Sequence, residues 1–143
     1  MPVNKLNLLT FEVLEKASKA RSKEKKIKIL QENETWALKD ILIGTYSEEI
    51  EFNLPPGEPP YRASQAHNAP TNLQRKNTEF RYFTKGGPGD KMSALKREGL
   101  FIGLLESVHP EDAKLVINMI NKVKIQGITK NVVMEAFPGL PIS

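Results

Sequence analysis

The sequence predicts a mainly α fold: a compact single domain of several short helices, with a long proline-rich irregular segment and at most a minor extended element. Apolar residues recur at helical spacing along most of the chain. Ser, Thr, Asn or Asp precedes several of these stretches in the position of an N-cap. Five of the ten prolines lie within residues 55–70, where they exclude regular helix.

A chain of 143 residues is long enough to bury one core, so we expect a single domain over residues 1–143. Its hydrophobic content of 39% and its charged content of 27% are those of folded proteins. We divide the domain into N-terminal helices (10–44), an extended proline-rich arm (50–72) and C-terminal helices (73–140).

Two helices are expected first. One runs over Phe11–Arg21 after Thr10 as N-cap, and the other over Lys23–Gln31 after Ser22. The apolar stripe of the first helix consists of Phe11, Val13, Leu14 and Ala17.

A third helix follows almost directly. Asn33 is suited to end the second helix and to cap the third, which is expected over Glu34–Ile43. Gly44 is expected to stop it. Its apolar residues are Trp36, Leu38, Ile41 and Leu42.

The proline-rich arm begins with an alternating segment. Ile50, Phe52 and Leu54 are separated by polar residues, which is the period of a half-buried strand. No partner strand is evident, so we expect an extended edge. The prolines that follow favour polyproline-like or turn conformations.

The C-terminal helices begin with a helix over Leu73–Thr84 that contains Phe80 and Phe83. The breaker Gly86–Gly89 follows, and Asp90 is expected to cap a long central helix over Lys91–Val108. The apolar residues expected on that helix are Met92, Leu95, Phe101, Ile102, Leu104, Leu105 and Val108.

Two further helices complete the expected fold. Pro110 suits the first turn of one that extends to about Val123. Thr129 is expected to cap the last one, Lys130–Phe137.

A dense group of basic residues surrounds the expected turn between the first two helices. We call this group the basic turn: Lys16, Lys19, Arg21, Lys23, Lys25, Lys26 and Lys28. It could neutralise several phosphates or bind an acidic partner. The alternative is a solvated pair of helix faces, because no aromatic residue is interleaved to stack on bases. The net charge of +4 allows nucleic-acid binding without requiring it.

The proline-rich arm is the second candidate for binding. Stiff proline segments lose little entropy on docking and suit recognition by aromatic grooves. The candidate partner-binding residues are Pro55, Pro56, Pro59, Pro60 and Tyr61. The alternative is an arm packed over its own domain, on Trp36 or Tyr61.

No catalytic, cofactor-binding or metal site is expected. The chain has no cysteine, and it lacks both the Gly-x-Ser-x-Gly elbow and the phosphate-binding Gly-Lys-Ser/Thr motif. Glu106 and His109 match only half of a di-metal motif, and His67 has no glutamate three residues before it. We therefore expect no enzyme activity and no small-molecule substrate. The sequence also lacks a secretory signal and a membrane-spanning apolar run, so we expect a cytoplasmic protein.

Several stretches together resemble a family of small proteins of uncharacterised function from T-even-like contractile-tailed bacteriophages, notably cyanophages. These stretches are Lys26–Asn33, Trp36–Leu42, Phe52–Tyr61, Phe80–Lys91, Lys96–Lys114 and Gly127–Leu140. The resemblance implies a phage origin, with the cytoplasm of an infected bacterium or the virion as location. It implies no activity, cofactor or site residue.

These observations predict a non-enzymatic phage accessory protein that binds a host or phage macromolecule, with nucleic acid as one candidate partner. The alternative is a minor virion component of the head, neck or tail that uses the proline-rich arm for assembly.

Overall fold

The computed structural model describes residues 8–142, and these residues form a mainly α fold, as predicted. The α-helices are α1 (Thr10–Lys19), α2 (Lys23–Glu32), α3 (Trp36–Tyr46), α4 (Leu73–Lys76), α5 (Ala94–Ser107), α6 (Pro110–Ile120) and α7 (Lys130–Ala136). The 3₁₀ helices are Ala66–Asn68, Asn77–Phe83 and Pro88–Lys91. No helix within this part of the chain is long and apolar enough to cross a membrane. Residues 1–7, to which most of the expectation about a secretory signal refers, lie outside the described residues.

Capping side chains determine where several helices begin. The Ser22 hydroxyl accepts a hydrogen bond from Lys25 N at 3.2 Å, and the Thr129 hydroxyl accepts one from Val132 N at 3.2 Å. Both predicted caps are confirmed. Thr10 is instead the first residue of α1, and Glu12 Oε1 accepts a hydrogen bond from Leu9 N at 2.8 Å.

The joint between α2 and α3 differs from the expectation in two respects. Asn33 ends α2 as predicted, but Thr35 caps α3 by accepting from Leu38 N at 3.0 Å. Gly44 does not stop α3, which continues to Tyr46. A Cβ atom at Gly44 would lie 2.5 Å from Met119 Sδ. Glycine at this position therefore allows close packing of α3 against α6 rather than ending the helix.

The start of α5 was also predicted wrongly. Ser93 caps it by accepting from Lys96 N at 3.2 Å, while Asp90 lies in the preceding 3₁₀ helix. Asp90 Oδ2 accepts from Gly86 N at 2.6 Å and its Oδ1 accepts from Asn53 Nδ2 at 2.9 Å. These hydrogen bonds also lower the pKa of Asp90. Leu95, expected on the apolar stripe, is 84% exposed.

The centre of the domain is α6 rather than the predicted long helix. α6 packs against α1, α3 and α5, while α2 packs against both α1 and α7. The largest fully buried side chains are Leu30, Leu38, Ile41, Leu42, Leu73, Phe83, Leu104, Leu105, Val108, Val116, Met119 and Val133. They belong to one core to which α1–α7 and the segment after α4 all contribute.

The helix expected over residues 73–84 is α4 followed by a tighter 3₁₀ helix, and both of its phenylalanines are buried. Phe83 packs edge-on against Phe101, with ring centroids 5.2 Å apart. The extended edge has a partner: Phe52 forms an isolated antiparallel bridge with Thr84. Among the described residues this is the minor extended element that the sequence predicted.

Candidate functional site

The basic turn lies on the surface formed by α1, α2 and the joint between them. All of its basic side chains are exposed except Lys26, which is half-buried. Three of the seven pair with carboxylates. Lys19 lies 3.8 Å from Glu15 and Lys28 lies 4.0 Å from Glu32, and both glutamates are on the same helix as their lysine.

The third pair and one hydrogen bond attach the basic turn to the C-terminal part of the chain. Lys23 pairs with Glu135 of α7. Lys26 Nζ donates to the carbonyl of Gly127 at 2.6 Å. A Cβ at Gly127, whose φ is +83°, would lie 2.9 Å from Ser18 Cβ, so the loop before α7 packs tightly on α1. The sequence gives no signal for these contacts, because the lysine and the glycine are 101 residues apart.

Lys16, Arg21 and Lys25 form no ion pair with any residue from 8 to 142, and all three are exposed. They are the cations of the basic turn that remain available to an anionic ligand. Paired surface cations contribute less to such binding, because a ligand must compete with their carboxylates.

The proline-rich arm is anchored to its own domain. Asn121, at the end of α6, holds Gly57 by two hydrogen bonds: Gly57 N donates to Asn121 Oδ1 at 2.7 Å, and Asn121 Nδ2 donates to Gly57 O at 3.1 Å. Gly57 has a φ of +92°, which favours glycine. Arg62 N donates to Glu106 Oε2 at 2.8 Å, and Thr71 N donates to Ser107 O at 2.9 Å. The alternative of an arm packed on its own domain is therefore correct.

Some of the candidate residues of the arm are exposed to solvent, and others are partly buried. Pro55, Pro56 and Pro60 are exposed, whereas Pro59 and Tyr61 are half-buried. The arm and α5 enclose a cleft of about 300 Å³. Burial, assisted by the charge of Glu58, raises the pKa of the Tyr61 hydroxyl.

Trp36 lies in a different groove, so the expectation that the arm packs on it is wrong. This indole is 69% exposed, although the sequence pattern placed it on the apolar face of α3. The buried face of α3 is offset from it and includes Ala37, Leu38, Ile41, Leu42 and Thr45. That stripe was visible in the sequence and would have excluded Trp36 from the core.

The groove at Trp36 has a volume of about 500 Å³ and lies between α3 and the C-terminal segment. Its apolar and aromatic lining includes Trp36, Ile43, Phe137, Pro138, Leu140 and Pro141. Lys39 lies on one side, with its Nζ 4.5 Å from the Trp36 ring centroid and 5.8 Å from that of Phe137. Lys39 also pairs with Glu34.

Glu106 and His109, which match half of a di-metal motif, have structural roles. Glu106 accepts the hydrogen bond from the arm, and His109 caps α6 by accepting from Glu111 N through its Nδ1 at 3.0 Å. The His109 ring also stacks on Phe11, with centroids 4.5 Å apart. Among the described residues, no group of three His, Asp or Glu side chains could hold a metal ion.

A mixed pocket of about 330 Å³ is lined by one carboxylate, Asp40, together with Asn77, Arg81 and apolar side chains. Burial raises the pKa of Asp40, and the hydrogen bond from Asn77 Nδ2, at 2.7 Å, opposes this shift. No second carboxylate and no histidine lines the pocket. The pocket therefore lacks a paired acid and base.

Two comparisons with known proteins complete the description of the chain. Residues 13–126 match a family described as a family of unknown function (DUF6433). A search of curated proteins gave no match.

Proposed function

Since the chain belongs to DUF6433, a family of unknown function, we propose a function from its surfaces: it is a non-enzymatic protein that binds nucleic acid through the basic turn. One observation carries the proposal. Lys16 of α1, Arg21 of the joint and Lys25 of α2 are exposed and have no carboxylate partner among residues 8–142. An exposed group of cations of this kind binds phosphates by releasing condensed counterions.

The proposed setting is the cytoplasm of an infected bacterium. The resemblance to T-even-like phage proteins supports an accessory role there, and the net charge of +4 favours a polyanionic partner. An acidic host or phage protein is the other ligand that this surface would accept. Salt titration of binding to nucleic acid and of binding to an acidic protein distinguishes these two classes of ligand.

Charge reversal of the unpaired cations tests the proposal. We expect the triple variant Lys16→Glu, Arg21→Glu, Lys25→Glu to bind nucleic acid about 10- to 30-fold more weakly at low salt, because three phosphate contacts are lost. The slope of log K against log salt should decrease in magnitude by about 2 to 3. Gel-shift titrations at low and high salt measure both quantities.

A matched control has the same net charge. Arg75→Glu, Lys91→Glu and Lys96→Glu replace three exposed basic residues away from the basic turn, and both triple variants change the net charge from +4 to −2. The control should retain most of the affinity. Equal losses in the two variants would mean that overall charge, not the basic turn, governs binding. Absence of salt-dependent binding by the unmodified protein would remove the proposal.

A second candidate function is a minor virion component, and the exposure of Pro55, Pro56 and Pro60 on an anchored arm favours it. An arm held rigidly by Asn121 and Glu106 would present these prolines to a neighbouring subunit with little loss of entropy. If so, mass spectrometry of purified particles should detect the protein at a constant copy number after high-salt washing. Near-absence from the particles would exclude this second function.

A further inference from the structure

The basic turn lacks an interleaved aromatic residue in the sequence, but the structure leaves the indole of Trp36 exposed at the start of α3, the helix that follows α2. Gln31 Nε2 donates to the carbonyl of Ala136 at 3.0 Å, and Ala136 lines the groove that contains Trp36. The last turn of α2 therefore borders the groove. Lys28 precedes Gln31 by about one helical turn, so it is the cation of α2 nearest this border in the chain, while Lys25 lies one turn further back.

The local geometry leaves the indole available. Trp36 is the first residue of α3, and its 69% exposure is unusual for the largest apolar side chain. Lys39 Nζ lies over the ring at 4.5 Å and is paired with Glu34, so it supports the indole without adding much uncompensated charge. The remaining indole surface lies against an open, apolar groove.

We propose that Trp36 is a base-stacking residue that extends the basic turn into a binding site for single-stranded nucleic acid. This inference rests on the proposed function and adds a ligand class to it. In a duplex the base faces are covered by their neighbours, so an exposed indole contributes to binding only when the bases are unpaired. Arg21 and Lys25 would contact the phosphates, and the indole would stack on a base.

Charge complementarity favours this ligand over a peptide. Arg21 and Lys25 lie before and in the first turn of α2, about 15 Å along the helix from its end near the groove, and they have no carboxylate partner in residues 8–142. An extended strand is long enough for its phosphates to neutralise these cations while one of its bases enters the groove. A proline-rich peptide would use the same aromatic groove but would leave these cations unneutralised.

Intrinsic fluorescence gives a direct test, because Trp36 is the one tryptophan of the chain. We expect a single-stranded oligonucleotide of about 10 nucleotides to quench the emission saturably, since stacking brings a base onto the indole. A duplex of the same sequence should bind at low salt through phosphates without comparable quenching. A synthetic peptide with the sequence of Pro55–Tyr61 serves as the competing ligand.

Substitutions at Trp36 provide a second readout, with anisotropy of a labelled oligonucleotide as the measure of affinity. Trp36→Leu should weaken single-strand binding by about 10-fold and leave duplex binding unchanged, while Trp36→Phe should restore part of the loss. Leu95→Ala, which shortens another exposed apolar side chain, should change neither affinity. Thermal unfolding of each variant verifies that the fold is retained.

The outcomes separate this inference from the proposed function. Single-strand binding with unchanged emission, and with equal affinity for Trp36→Leu, would overturn the role of Trp36 and leave the basic turn intact. Quenching by the peptide but not by the oligonucleotide would reassign the groove to a protein ligand. Failure of the unmodified protein to bind any nucleic acid at low salt would remove both proposals.

Discussion

Gly89→Ala should destabilise the protein by at least about 3 kcal/mol, which corresponds to a decrease in Tm of roughly 10 °C. Gly89 is buried in the 3₁₀ helix Pro88–Lys91. A Cβ atom there would overlap the carbonyl group of Tyr82 and lie 2.7 Å from Tyr82 Cα. These are backbone atoms of the 3₁₀ helix that carries Phe80 and Phe83 into the core, so they cannot move aside by changing a rotamer.

Relief of the overlap would separate the segment of Gly89 from that of Tyr82 and displace Gly89, whose carbonyl accepts a hydrogen bond from Arg97. Its guanidinium donates to the carbonyls of Gly89 at 3.1 Å, Met92 at 3.2 Å and Asn53 at 3.2 Å. Separation would weaken these charge-assisted hydrogen bonds as well. Chemical and thermal unfolding of the variant measure the total loss.

Gly99→Ala is the matched control. Gly99 is exposed within α5, and a Cβ there would meet no atom within 4 Å. Alanine should stabilise the helix by about 0.5 to 1 kcal/mol, because it reduces the entropy of the unfolded chain. A Gly89→Ala protein as stable as the unmodified one would show that the two 3₁₀ helices are not packed as described.

The local signals of the sequence predicted the fold class and several helix starts, because capping depends on a few neighbouring residues. Ser22 and Thr129 cap the helices that their positions indicated. Residues whose role depends on tertiary contacts were misinterpreted. Gly44 looks like a stop signal, but its role depends on Met119. Asp90 looks like a cap, but its carboxylate is engaged by Asn53, 37 residues away.

The sequence identified the residues of the candidate site but not how they are arranged in space. The sequence identified the basic turn, yet the pairing of Lys23 with Glu135 and the bond from Lys26 to Gly127 join residues that are distant in the chain. The groove beside Trp36 likewise depends on residues distant in the chain, because Phe137 and Leu140 line it. Anchoring of the proline-rich arm by Asn121 has no local signature at all.

A buried carboxyl makes the stability of this protein depend on pH in an unusual direction. Asp112, in the first turn of α6, is fully buried. Its Oδ1 accepts from Phe11 N at 2.9 Å, while its Oδ2 is buried without a hydrogen-bond partner in residues 8–142. Burial raises the pKa of Asp112 to about 6, the hydrogen bond from Phe11 opposes this shift, and the charge of Glu12 adds to it.

The folded protein therefore holds this proton to a higher pH than the unfolded chain, whose aspartate has an ordinary pKa of 3.8. Between these two values the folded state binds more protons, so the free energy of unfolding falls as the pH rises. The loss is complete above the folded pKa and amounts to about 3 kcal/mol. Urea unfolding at a series of pH values from about 4 to 8 measures this dependence.

Asp112→Asn should remove most of this dependence. The asparagine keeps the acceptor for Phe11 N and carries no charge, so the variant should be more stable than the unmodified protein by about 2 kcal/mol above pH 7. Near pH 4 the two proteins should be equally stable. The imidazole of His109 and the carboxyl of Asp40 are present in both proteins, so the difference between them isolates Asp112.

Glu111→Gln is the control for position at the helix terminus. Glu111 is the neighbouring residue in the same turn of α6, but it is exposed and lies 3.2 Å from Lys114 Nζ. Its neutralisation removes a favourable charge at the positive end of the helix and should cost about 0.5 kcal/mol, and the variant should keep the fall in stability that Asp112 causes up to pH 6. If Asp112→Asn and Glu111→Gln have the same pH profile, the carboxyl of Asp112 does not titrate as a buried group. If only Asp112→Asn flattens the profile, burial of this carboxyl against the start of α1 is the cause.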